Sequence, residues 1–194
     1  LRATTAGCQI AIGTCAMMNC AGYGNLAIGT AAMACNCYSC WNVAIGACAL
    51  VLNTSGCFNL AIGCRSLCSN TTGNCNVAIG NNALLLNYTG CGNIAIGYNA
   101  SLGTTQGSNN IAIGYGTLCC NICGCGNVAI GDKVLACNST GLNNIGLGCQ
   151  PLRYNTGGLN NFGAGAMALY CNSVGNNNTA IGCAALYYNT SGTN

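Results

Sequence analysis

The segment Asn76-Val77-Ala78-Ile79-Gly80 returns seventeen residues later as Asn93-Ile94-Ala95-Ile96-Gly97. Close variants of this five-residue string close at Gly13, Gly29, Gly46, Gly63, Gly80, Gly97, Gly114, Gly131, Gly148, Gly165 and Gly182. The first interval is 16 residues and the other nine are 17. A period held this tightly over eleven copies is the sequence signature of a repeat architecture. Counting from each closing Gly, the fourth residue is Leu or Met in every copy except the one with Ser101. The seventh is Asn from Asn36 to Asn189 in nine copies, and the tenth is Gly in nine, from Gly56 to Gly192. Each unit therefore reads as a strand, a short second strand and an Asn-Thr-Ser-Gly turn.

Seventeen residues are too few for a strand–helix–strand unit, but they suit one coil of a parallel β-solenoid. The expected fold is all-β, a single repeat domain over residues 1–194 with about eleven 17-residue coils. One coil cannot bury its own Ile and Leu; coils stacked ~4.8 Å apart form continuous apolar ladders. Asn at a fixed position is expected to form an amide ladder along a turn. Within the strand, Val43 and Ile45 share one face and Ala44 and Gly46 the other. Neither face is polar, so both are expected to be covered. The expectation is that the small Ala/Gly face presses on another protomer. The chain starts and stops in mid-repeat, with one proline (Pro151) and almost no charge to blunt an edge. It reads as part of a longer array or as a filament subunit.

Charge narrows the function classes. Only Arg2, Arg65, Asp132, Lys133 and Arg153 are charged, and there is no histidine. General acid–base catalysis requires such groups near a reacting atom, so no enzyme is expected and no catalytic residue is named. Scattered charges totalling +3 offer no basic stripe for a nucleic-acid backbone. No run of eighteen or more apolar residues marks a membrane span. Gly-x-Gly pairs such as Gly163-Ala164-Gly165 are strand variants, so no nucleotide or other cofactor is expected.

The 20 cysteines point to an oxidising compartment. Equivalent positions in stacked coils lie within disulfide range. The pairs Cys20/Cys37, Cys40/Cys57 and Cys120/Cys137 are each seventeen residues apart and are candidate inter-coil disulfides. The alternative is that many are small buried hydrophobes. Clusters at Cys35–Cys40 and Cys119–Cys125 contain C-x-x-C spacing that suits zinc or an iron–sulfur cluster. They fall on turns that accept any small residue, so no metal site is assigned. Sequons at Asn53, Asn70, Asn87, Asn138 and Asn189, plus Asn177, are candidate glycosylation sites. The same residues are also ordinary turn chemistry, and an inward-pointing ladder excludes glycans. Tyr98/Tyr115 and Tyr170/Tyr187, one repeat apart, are candidates for outward stacks that bind sugar or simply pack.

The run Asn93-Ile94-Ala95-Ile96-Gly97-Tyr98-Asn99-Ala100 resembles the Asn-x-Ala-Ile-Gly head repeats of trimeric autotransporter adhesins. The 17-residue form from Gly80 to Gly97, with its Asn87-Tyr88-Thr89-Gly90 turn, resembles repeats of viral and phage tail-fibre proteins. The resemblance spans the chain and implies a left-handed β-roll, trimeric in the adhesins, exposed on a cell or virion surface and used for attachment. The adhesin repeat is usually shorter, and neither group is typically so rich in Cys. The expected function is a structural, extracellular or virion-surface fibre that self-associates as a trimer or an end-to-end filament, with a cell-surface or glycan ligand as partner. Competing readings are an ice-binding solenoid, for which the strand lacks a Thr array, and a thiol-rich metal-binding or redox fibre.

Overall fold

The computed structural model describes residues 7–19 and 22–193. Eleven short strands follow the repeat: β1 (Ile10–Ile12), β2 (Leu26–Ile28), β3 (Val43–Ile45), β4 (Leu60–Ile62), β5 (Val77–Ile79), β6 (Ile94–Ile96), β7 (Ile111–Ile113), β8 (Val128–Asp132), β9 (Ile145–Cys149), β10 (Phe162–Ala164) and β11 (Thr179–Ile181). They form one sheet in strict chain order, every pair parallel. The register is the repeat itself: Val77 pairs with Ile94, Ala78 with Ala95 and Ile79 with Ile96. The molecule is a parallel β-solenoid of about ten turns, with no helix among the described residues.

The core is one residue wide. Ala27, Ala44, Ala61, Ala78, Ala95, Ala112 and Ala129 point inward from the strands and are fully buried. Opposite them run Met33, Leu50, Leu67 and Leu84, also fully buried. This reverses the expected use of the strand faces: Ala packs inside its own coil, and Val and Ile lie outside. The reason is volume. A seventeen-residue loop encloses little more than one Leu and two Ala per layer, and overfilling such a space forces strain. Where the third residue after the closing Gly grows from Ala to Val134, the facing strand residue shrinks to Gly146. A Cβ at Gly146 collides with Val134 Cγ1.

The second segment is not the expected strand. Its residues are turns, with the second and fourth positions left-handed, as in Arg65 (φ 55°) and Leu67 (φ 50°). Backbone bonds alternate between the two neighbouring coils. Arg65 N donates to Ala47 O (2.9 Å), and Leu67 N donates to Ala83 O (2.9 Å). A coil this small must bend sharply, and extended backbone cannot. The left-handed region costs about 1–2 kcal/mol per L-residue, and burying a Leu returns about 1.5–3 kcal/mol. The closing Gly carries no such compensation. Gly46 has φ 133°, and a Cβ there lies 2.5 Å from Gly63 O of the next coil.

Two amide ladders line the interior. Asn76 N and Nδ2 both reach Asn59 Oδ1 (2.9 and 3.1 Å), and Nδ2 also donates to Gly90 O (2.8 Å). In the second ladder Asn70 Nδ2 donates to Asn53 Oδ1 (2.7 Å) and to Gly73 O (3.0 Å). Buried amides such as these are tolerated because they are paired. Each one fixes its coil's turn and the stacking register together.

Candidate functional site

Outside the sheet run two columns of aliphatic side chains, one starting each strand and one closing it. Leu26, Val43, Leu60, Val77 and Ile94 form the first; Ile28, Ile45, Ile62, Ile79 and Ile96 form the second. All ten are half-buried, while the Ala between each pair is buried. Exposure is greatest at the two ends of the sheet: Ile10 and Ile12 of β1 are 57% and 58% exposed, and Ile181 of β11 is 71% exposed. At the spacing of paired strands, eleven of them make a stripe roughly 50 Å long. Monomeric proteins rarely leave so continuous an apolar strip in water. Beyond Ile96 and Ile113 stand Tyr98 and Tyr115, stacked at 5.7 Å with planes 7° apart. Tyr170 and Tyr187 stack at 4.9 Å and 10°. Both pairs that the repeat spacing singles out are therefore brought together.

The cysteines fall into distinct environments. Cys40 and Cys57 stand in one column, with their sulfurs 2.8 Å apart, and both are free thiols in this structure. Cys20, the partner named for Cys37, lies outside the described residues. Cys120 and Cys137 share an open groove of about 400 Å³ with Tyr115, Cys119, Lys133 and Arg153. Cys119 Sγ lies 3.8 Å from Cys120 Sγ. Burial pushes the Cys119 thiol up to about 12, with the neighbouring Cys120 adding to it. Burial also raises Cys137, opposed by Arg153, and Cys68, opposed by Arg65. Lys133 Nζ sits 5.5 Å from the Tyr115 ring centre. Among the described residues no group of three or more His, Cys, Asp or Glu side chains is placed to hold a metal ion.

The sequon asparagines are the inner ladder. Asn53, Asn70, Asn87 and Asn138 are fully buried, and the Nδ2 of each donates to its own turn glycine and to the preceding ladder residue. Asn189 Nδ2 likewise donates to Asn172 Oδ1, at 3.0 Å. The first four of these nitrogens are thus buried and already paired, whereas Asn189 is part-buried. Asn177, outside the ladder, is exposed.

One column was not singled out by the sequence reading. From Cys57 to Cys125 the eleventh residue after the closing Gly accepts a hydrogen bond from the backbone N–H of its equivalent in the preceding coil. Cys40 N donates to Cys57 Sγ (3.2 Å), Cys57 N to Asn74 Oδ1 (2.8 Å), Asn74 N to Cys91 Sγ (3.4 Å) and Cys91 N to Ser108 Oγ (3.0 Å). The alternation of Cys, Asn and Ser at this position was the available signal, since all three side chains accept.

No protein-family model matches the chain, and no curated protein or solved structure is a match to it.

Proposed function

We propose that this chain is a structural segment of an extracellular or virion-surface fibre, built by association of several copies through the outer aliphatic face. The observation that carries the reading is the pair of outward-facing Val, Leu and Ile columns running from β1 to β9. The face is uncharged and repeats every coil, so another copy in parallel register offers it a matching surface. Obligate homo-oligomer interfaces are of this apolar kind. The resemblance to adhesin and tail-fibre repeats supports left-handed coiling, a trimer or an end-to-end filament, and an attachment role. The stacked tyrosines and exposed turn residues are the surface that attachment has at its disposal. The role proposed is geometric rather than catalytic: length, stiffness and a regular surface.

Sedimentation tests it. The wild-type chain is expected to sediment as a discrete oligomer. Ile79→Lys with Ile96→Lys, both on the outer face, is expected to yield folded monomer with unchanged far-UV circular dichroism. A wild-type chain that stays monomeric at all concentrations removes the assembly on which the reading rests.

A further inference from the structure

We propose that Cys40 and Cys57 close a disulfide between adjacent coils, a redox-sensitive staple beside strands β3 and β4. The two residues hold the same place in successive coils, and their sulfurs are already 2.8 Å apart. Stacked equivalent positions lie about one strand spacing apart, within the Cα separation that a disulfide spans. The backbone around the pair is fixed on both sides: Trp41 N donates to Tyr23 O (3.1 Å), and Phe58 N donates to Cys40 O (3.1 Å). Closing the bond therefore asks for little more than side-chain rotation. Burial and the neighbouring Cys40 thiol push the Cys57 thiol up, and the Cys40 N–H that points at Cys57 Sγ opposes them. Both side chains are partly exposed, so an oxidant can reach them. In the same column Cys91 lies between Asn74 and Ser108, neither of which carries a sulfur.

The chemistry balances with a small-molecule disulfide as oxidant. The thiolate of one cysteine attacks one sulfur of glutathione disulfide, forming a mixed disulfide and releasing one glutathione thiolate. The sulfur of the other cysteine then attacks the protein sulfur of that mixed disulfide, forms the inter-coil bond and releases the second glutathione. Two protein thiols lose two protons and two electrons, and one glutathione disulfide becomes two thiols.

The test uses the whole folded chain, reduced and then exposed to glutathione disulfide, trapped with N-ethylmaleimide, digested and read by mass spectrometry. The expected result is one peptide pair joined through Cys40 and Cys57 and loss of maleimide label at both. Cys91 is expected to remain label-accessible or singly glutathionylated. Cys40→Ser is expected to restore Cys57 to that state, and the column already accepts a hydroxyl at Ser108. Full labelling of both cysteines after oxidation overturns the proposal. So does glutathione retained on both, or Cys57 joined to Cys75 in place of Cys40.

Discussion

Two of the coils that depart from the repeat absorb the departure differently. In the coil closing at Gly148, a larger residue, Val134, is matched by a smaller one, Gly146, and the core stays filled and apolar. In the coil closing at Gly114, Ser101 replaces the core Leu and Thr104 replaces the ladder Asn. These two hydroxyls bond each other at 2.7 Å, and both residues are buried. The exchange is locally balanced but breaks the ladder: Asn87 Oδ1, which faces Thr104 rather than an amide, is buried without a hydrogen-bond partner. Beyond the gap Asn121 Nδ2 bonds Gly124 O (2.9 Å), and the ladder resumes with Asn138 Nδ2 on Asn121 Oδ1 (2.9 Å). Volume can be traded within one coil. A ladder bond cannot, because its partner belongs to the next.

Moving the polar exchange into a regular coil breaks this contrast most severely. Leu84→Ser with Asn87→Thr is expected to lower stability by about 4–5 kcal/mol in chemical denaturation, through the lost Leu volume and an orphaned Asn70 Oδ1. A loss under about 1 kcal/mol would mean that neither the narrow core nor the ladder dominates stability. The reverse change, Ser101→Leu with Thr104→Asn, is expected to gain about 3 kcal/mol by filling the column and giving Asn87 Oδ1 its donor. Either single change strands the remaining hydroxyl in the core. The double-mutant cycle is therefore expected to show coupling of about 1 kcal/mol or more in favour of the pair.

Much of this was legible in the sequence. The seventeen-residue period gave the strands, the parallel order and the register, because a solenoid's pairing is its repeat. The Ser101 and Thr104 exceptions were visible too, and their falling in one coil was the clue that they touch. Two features were not legible. Alternation shows that Val43 and Ala44 face opposite ways, but not which faces in; that depends on the width of the coil, a three-dimensional quantity. Left-handed backbone at Leu67 leaves no mark in composition, since Leu is not a residue that prefers it. Among the sites, spacing brought Cys40 and Cys57 together, and the same spacing placed Asn53 and its equivalents inside, where turn chemistry and sequon read alike.

The compensated coil yields the next prediction. Gly146→Ala puts a methyl against Val134 Cγ1 and is expected to cost about 2 kcal/mol, in the range of overpacking a tight core. Adding Val134→Ala restores the usual Ala–Ala layer and is expected to recover most of that loss, read as the shift in denaturation midpoint. If the second change adds to the loss instead of relieving it, the two residues do not trade volume and the coil is held by something else.

The smallest expected effect lies between the two coils. Cys119 accepts at its carbonyl from Gly103 N (2.9 Å) in the interrupted coil, and its thiol donates to Ala136 O (3.4 Å) in the compensated one. Burial holds that thiol at about 12, against an ordinary value of 9.0. Above pH 9 the unfolded chain releases this proton while the folded chain keeps it, so the unfolded state is favoured as pH rises. The contribution is intact below pH 9 and drains away between there and about pH 12. Cys119→Ser, which keeps a donor for Ala136 O but no longer titrates in this range, is expected to give a shallower fall in stability over that window. At neutral pH the wild-type thiol is expected to react with iodoacetamide far more slowly in the folded chain than after unfolding, because the thiolate is the reactive form. Equal rates in the two states would mean that the junction opens freely, and the interrupted coil would then be a point of local unfolding rather than a closed defect.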